Sequence, residues 1–196
     1  HGWEDTDYQT TQNHGRGGMI YDFRNFMLKN MKIPIEFKQK PSFRIIFSER
    51  SSNIARRNLD FSKQKELLRQ RFSPSYVSVE SYMFSEMPLR NQLEIASQAS
   101  IFITSCGGGA VTSMFMPRGS SVVMYYLEDG GFINNKPTGR PARLDWDLFN
   151  NMSYIKVHWL PAGTMNTDSD TNALFLLIQH ELDSLIREGS YDHFFN

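Results

Sequence analysis

Apolar residues along this chain come in short blocks, and stretches with helical spacing separate the blocks. "FRIIFS" (43–48) is followed by a polar loop and then by "SKQKELLRQRF" (62–72). "YVSVE" (76–80) precedes "PLRNQLEIASQA" (88–99), which opens on a proline as helices often do. "SIFITS" (100–105) leads into "GAVTSMFM" (109–116), and "SSVVMYY" (120–126) stands alone before a long polar stretch. "SYIKVHWL" (153–160) and "TNALFLLIQHELDSLIREG" (171–189) complete the series. The runs are nearly continuous rather than alternating, as strands covered on both faces require. Five strands alternating with helices predict an α/β fold, a Rossmann-like parallel sheet of about five strands with flanking helices.

The flanks read differently. Residues 1–18 are polar and contain glycine, so they predict a loop or extended arm. "YDFRNFMLKNM" (21–31) places Phe23, Phe26 and Met27 at helical spacing, and Pro34 ends that helix. The division expected is therefore 1–40 as an arm and connecting helix, and 41–190 as the Rossmann-like domain. The loop 127–150 is longer than most connections, which marks it as functional or mobile.

Composition narrows the chemistry. The 196 residues carry 21 basic and 21 acidic side chains, for a formal net charge of zero. That balance gives no electrostatic case for nucleic acid or a membrane surface. One cysteine rules out an internal disulfide framework and a multi-cysteine zinc site. There is no long apolar span and no signal-peptide pattern. The chain begins at His1, which is expected of a processed chain or a fragment, so a membrane contact would come only through an anchor outside it.

The strongest local signal is "SCGGGAV" (105–111), three glycines at the end of one strand run. In an open parallel sheet, ligands bind beyond the carboxyl ends of the strands. A helix start there offers unpaired N–H groups to an anion, and missing side chains let a diphosphate approach the backbone. The candidate ligand groups are thus Cys106, Gly107, Gly108, Gly109 and Ala110; the alternative is a tight turn with no ligand. The segment matches neither the dinucleotide fingerprint nor a P-loop. "SERSSNIARRN" (48–58) follows the first strand on the same edge. Arg50, Arg56 and Arg57 suit phosphate oxygens, with Asn58 and Ser48 as hydrogen-bonding groups, unless the loop is simply solvated.

Several acidic residues are open to two readings. Glu80 ends the second strand run at this edge, and either accepts a sugar hydroxyl or faces water. Asp-x-Asp pairs occur at Asp5/Asp7, Asp145/Asp147 and Asp168/Asp170, a spacing that holds a divalent metal in some sugar transferases or arises by chance. Only Asp145 and Asp147 lie where a loop reaches the glycine edge. Cys106 is either a nucleophile at a helix start or a small buried thiol. His158 reads as a core or edge residue more readily than as a base. Asn151-Met152-Ser153 is an N-glycosylation sequon.

Taken in order, "RIIFSERSSNIARRNLDF", "VSVESYMFSEMPLRNQLEIASQASIFITS" and "CGGGAVTSMFMPRGSSVV" resemble the carboxyl-terminal half of family 61 glycosyltransferases. The resemblance covers roughly residues 20–126. Its most specific part joins the glycine turn to Phe115-Met116-Pro117 and Gly119. It implies a GT-B fold whose second Rossmann-like domain binds a nucleotide sugar, expected to be UDP-linked, with no metal and no separate cofactor. Carried over by position, Arg50, Arg56, Arg57 and Asn58 face the nucleotide or acceptor cleft, Gly107 and Gly109 match the diphosphate turn, and Gln92 matches a helix glutamine. Glu80, Asp145 and Asp147 are the candidates for the base that takes an acceptor proton. The implied partners are the nucleotide sugar, a glycan or protein acceptor, and an amino-terminal domain or partner subunit outside this chain. The implied location is the secretory pathway, Golgi or ER lumen. This chain departs from the family pattern at Cys106, where a histidine is usual, at Gly108, and at Val111-Thr112. Those departures carry the alternative of a catalytically inactive domain that binds or assembles within a larger complex. The segment 128–161 has no counterpart in the pattern and reads as a lid over the cleft.

Overall fold

The computed structural model describes residues 14–36, 39–49, 58–128, 132–133, 136–137, 139–141 and 143–191. Its centre is a sheet of β1 (Phe43–Ser48), β2 (Val77–Tyr82), β3 (Ile101–Ser105), β4 (Ser121–Tyr126) and β7 (Lys156–Pro161), in the order β2-β1-β3-β4-β7. Every pairing in it is parallel. A two-stranded antiparallel pair, β5 (Phe132–Ile133) and β6 (Lys136–Pro137), stands apart. The helices are α1 (Gly17–Asn30), α2 (Ser62–Arg71), α3 (Leu89–Ala96), α4 (Arg143–Asn150) and α5 (Asp168–Tyr191), with a 3-10 helix over Gly108–Phe115.

Strand periodicity sorts the core into two faces, because successive side chains point to opposite sides of a sheet. Phe43, Ile45, Phe47, Ile101, Ile103, Val123 and Tyr125 pack with Leu68 of α2 and with Leu174, Ile178 and Leu182 of α5. Ile46, Phe102, Val122 and Met124 pack with Leu28 of α1, Leu93 of α3, Phe115 of the 3-10 helix and Phe149 of α4. Burying each large apolar side chain is worth about 1.5–3 kcal/mol. Both faces are needed, and that explains why the strands read as continuous apolar runs.

Two expectations fail at the flanks. Helix α1 starts at Gly17 rather than after residue 18, because it is set by packing and not by propensity. A Cβ on Gly17 would come within 2.7 Å of both Asn151 O and Ser153 Oγ, so only glycine lets the helix lie this close. Its inward face is also not the aromatic one. Phe23 and Phe26 are exposed, whereas Gly17, Arg24 and Leu28 are buried. Arg24, only 1% exposed, donates from Nε to Met116 O at 2.8 Å and from Nη2 to Ile35 O at 3.2 Å. Burial pulls the Arg24 guanidinium below its ordinary pKa, against the pull of Tyr21 and Tyr154.

The stretch 127–150 is the third departure, since it contains the β5–β6 pair and α4 rather than an unbroken loop. Helix α4 is short, and long-range aromatic contacts hold it. Trp146 and Phe149 meet the Trp159 ring at centroid distances of 6.0 and 6.5 Å, and Trp159 Nε1 donates to Asn150 Oδ1 at 2.9 Å. Among the described residues no helix is long and apolar enough to cross a membrane.

Candidate functional site

The strand order sets where a ligand belongs. Counting β7 as the fifth strand of the sheet, the order is the doubly wound 2-1-3-4-5 type. From β1 the chain winds outward through α2 to β2, then back through α3 to β3 on the other side of β1. The topological switch point therefore lies between β1 and β3, and such sheets bind ligands beyond the carboxyl ends at that crevice. Two segments leave the sheet there: the chain after Ser48 and the glycine turn after Ser105. Arg50, Arg56 and Arg57 belong to the first segment and lie outside the described residues. Asn58 is the first described residue after them and is exposed.

The glycine turn is built for an unusual backbone. Gly107 has φ +133° and ψ −165°, a conformation that essentially only glycine adopts. The 3-10 helix begins at Gly108, and Ala110 N–H donates to Gly107 O at 2.9 Å. Cys106 N–H donates to Tyr125 O at 2.7 Å. The backbone donors of Cys106 and Ala110 are thus committed within the protein, and Ala110 is fully buried. The N–H groups of Gly107, Gly108 and Gly109 remain as the turn's candidates. A Cβ placed on Gly108 would meet nothing within 4 Å, so this backbone faces open space.

Two further groups meet the crevice. Ser48, the last residue of β1, is 1% exposed, and its hydroxyl finds no hydrogen-bond partner among the described residues. Leaving such a group unpaired costs about 1–3 kcal/mol, so an orphan at a switch point calls for a ligand. By strand alternation Ser48 shares the face of Ile46, the face on which Cys106 also packs. The second group is Asp145, in the first turn of α4. Cys106 Sγ donates to Asp145 Oδ2 at 3.1 Å across 39 residues of sequence.

The other acidic candidates sit elsewhere. Strand β2 runs on to Tyr82, so Glu80 lies within it rather than at its end. Its carboxylate takes Arg44 Nε at 2.9 Å and Nη2 at 2.7 Å, Ser78 Oγ at 2.8 Å and Tyr82 Oη at 2.5 Å. The Arg44 hydrogen bonds, aided by Tyr82 and Ser78, outweigh partial burial and hold Glu80 at a pKa of about 2. A carboxylate so engaged is a weak base, and the expected base role of Glu80 gives way to an ion pair at the sheet edge. Asp147 is 3% exposed and turns toward the end of α4, where Asn151 Nδ2 lies 2.7 Å from its carbonyl and 3.4 Å from its Oδ1. Asp145 and Asp147 thus face different partners. That amide contact also engages the sequon's Asn151. Asp168 pairs with Lys63 at 2.6 Å on the α2–α5 side, and Asp5 and Asp7 lie outside the described residues.

Gln92 lies close to the turn's helix, with Thr112 Oγ1 at 3.4 Å from its Oε1. His158 belongs to a different cluster. Glu181 of α5 is 4% exposed and accepts from Ser121 Oγ at 2.6 Å, with Lys156 Nζ and His158 Nε2 each at 3.3 Å. Burial pushes the Glu181 carboxyl up, but His158, Ser121 and Lys156 together outweigh it and hold the pKa at about 2. Ser121 opens β4, so this cluster lies toward the amino edge, away from the switch point. Two grooves of about 280 and 290 Å³ also lie away from the turn, between α2 and α5.

The sequence reading missed Arg24, Glu181 and the partner of Cys106. A buried arginine inside an aromatic-rich helix leaves no local sign. The Asp145 contact depends on where α4 docks, which Phe149 and Trp159 decide.

No curated protein matches the chain. The family model for glycosyltransferase 61 matches residues 5–123, more than half of the chain. That span holds β1, β2, β3, the glycine turn and the start of β4, and leaves α4, β7 and α5 outside it. With β1, β2, β3, the switch point and the glycine turn all falling on the matched span, the chain belongs to glycosyltransferase family 61.

Proposed function

We propose that this domain binds a nucleotide sugar, UDP-linked, and takes part in transferring the sugar to a glycan or protein acceptor in the Golgi or ER lumen. The observation that carries this reading is the glycine turn closing β3 at the switch point, within the span that matches a glycosyltransferase family. Departure of a nucleoside diphosphate builds negative charge, and oriented donors that meet this charge lower the barrier. The N–H groups of Gly107, Gly108 and Gly109 are such donors, fixed by the backbone and needing no rearrangement. Arg50, Arg56 and Arg57, which follow β1 in the sequence, add charge-assisted hydrogen bonds. Asn58 and the orphan hydroxyl of Ser48 supply neutral ones. Asp145 is the carboxylate that accepts from Cys106 in the turn, and it takes the proton of the attacking hydroxyl. No metal is required by this arrangement. A GT-B enzyme closes its cleft with a second Rossmann-like domain, which here comes from outside these residues.

Cys106 favours a second reading, because the family pattern carries a histidine there. In that reading the domain keeps the nucleotide site but serves as a binding or structural subunit. Thermal shift with UDP, GDP and their sugar conjugates separates the cases from a failed assignment. A ligand at about 100 times its Kd stabilises by about 2.7 kcal/mol. Stabilisation with transfer of a labelled sugar supports the enzyme, and stabilisation without transfer supports the binding subunit. No response to any nucleotide overturns both.

A further inference from the structure

The segment after β4 lies outside the family match, yet it reaches the glycine turn. Helix α4 is fixed from behind: Phe149 is fully buried in the core, and Trp159 holds both Trp146 and Asn150. With its carboxyl end anchored, its first turn is held over Cys106, where Asp145 Oδ2 accepts a hydrogen bond from the thiol at 3.1 Å. Three further features belong to the same turn and the same face of the sheet. Gly108 faces open space on one side, Gly107 holds the turn in its glycine-only conformation, and the buried hydroxyl of Ser48, on the same face of the neighbouring strand, has no partner among the described residues. A half-buried thiol beside open backbone and an unsatisfied hydroxyl stands at the wall of a pocket rather than in a packed core.

We propose that the Cys106–Asp145 pair lines the donor pocket, so that a bound nucleoside diphosphate covers the thiol and α4 forms one wall of the site. This inference rests on the nucleotide-sugar reading above. Asp145 is then both near the reacting groups and coupled to the turn through Cys106, and the segment beyond the matched span is part of the site.

Cys106 is the only cysteine in the sequence, so alkylation with iodoacetamide reports on it alone. The full chain is alkylated with and without saturating UDP, with GDP as a second probe and the urea-unfolded chain as reference. UDP is expected to slow alkylation at least tenfold. Asp145→Asn is expected to quicken alkylation of the ligand-free protein at least threefold, because a carboxylate accepting the S–H bond keeps the proton on sulfur. A ligand-free thiol more than a thousandfold slower than in the unfolded chain would overturn the proposal, since a pocket wall must meet reagent. UDP or GDP that raises the Tm but leaves alkylation unchanged overturns the pocket assignment alone and spares the functional reading. An unchanged rate in Asp145→Asn overturns the pair. Absence of any nucleotide-induced Tm shift overturns the functional reading itself, and this inference with it.

Discussion

The two edges of the sheet treat their polar groups in opposite ways. At the amino edge every hydroxyl in the cluster is paired. Ser100 Oγ donates to Gln39 Oε1 at 2.6 Å, Gln39 Nε2 donates to Ser120 Oγ at 2.8 Å, and Ser120 Oγ reaches Ala99 O at 3.0 Å. Beside them Ser121 donates to Glu181, which Lys156 and His158 also face. At the carboxyl edge, Ser48 is buried with its hydroxyl unpaired among the described residues, and Gly108 opens on empty space. The difference teaches what each edge is for. Polar groups that close on one another hold α5 and the strand ends together, whereas groups left incomplete in a folded protein are completed by something that binds.

The sharpest way to break the comparison is at the buried carboxylate of the amino edge. Glu181→Ala removes a buried carboxylate that Ser121, Lys156 and His158 all face, and is expected to lower stability by about 3 kcal/mol in urea unfolding. Donor binding should be unchanged, because the cluster lies on the other edge. Arg56→Ala combined with Arg57→Ala tests the opposite edge. It is expected to reduce sugar transfer at least tenfold while leaving the Tm within about 2 °C; a smaller loss would remove these arginines from the site.

Acid titration gives the next effect. Glu80 and Glu181 both have folded pKa values of about 2, below the ordinary 4.5. A depressed carboxylate stabilises the fold above its unfolded pKa and loses that contribution as pH falls through the folded value. Stability should therefore decline between about pH 4.5 and pH 2. Glu80→Gln should flatten that decline, and an unchanged slope would remove the Arg44–Glu80 pair from the account. The smallest effects form a matched pair of serines. Ser121→Ala is expected to cost about 1–2 kcal/mol, since it deprives a buried carboxylate of a donor. Ser48→Ala should be neutral or slightly stabilising, since it removes an unpaired hydroxyl, yet it should weaken UDP binding severalfold.

Much of this fold was legible because its strands are buried on both faces, so "FRIIFS" and "SSVVMYY" read as strands from apolarity alone. The glycine triplet was legible as a turn because its backbone need is local, and Gly107 does adopt a glycine-only conformation. What remained hidden depends on distant partners. Gly17 and Gly18 look like a loop until the close approach of Asn151 and Ser153 is known. Phe23 and Phe26 suggest the wrong face of α1, because Arg24 turns inward to carbonyl groups that only the folded chain brings near. Glu80 looked available until Arg44, on the neighbouring strand, was seen to hold it. The Asp145–Cys106 contact spans a stretch whose asparagines, glycines and prolines hide the helix that makes it.

The central claim is that the carboxyl edge, and not the amino edge, is the ligand site. Titration of the labelled protein with UDP, followed by backbone amide resonances, tests it most directly. The account predicts the largest shifts at Gly107, Gly108 and Gly109, smaller ones at Ser48 and Asp145, and none at Ser100, Ser120 or Ser121. Shifts centred on the amino-edge serines, or no shifts at all at saturating UDP, would contradict it.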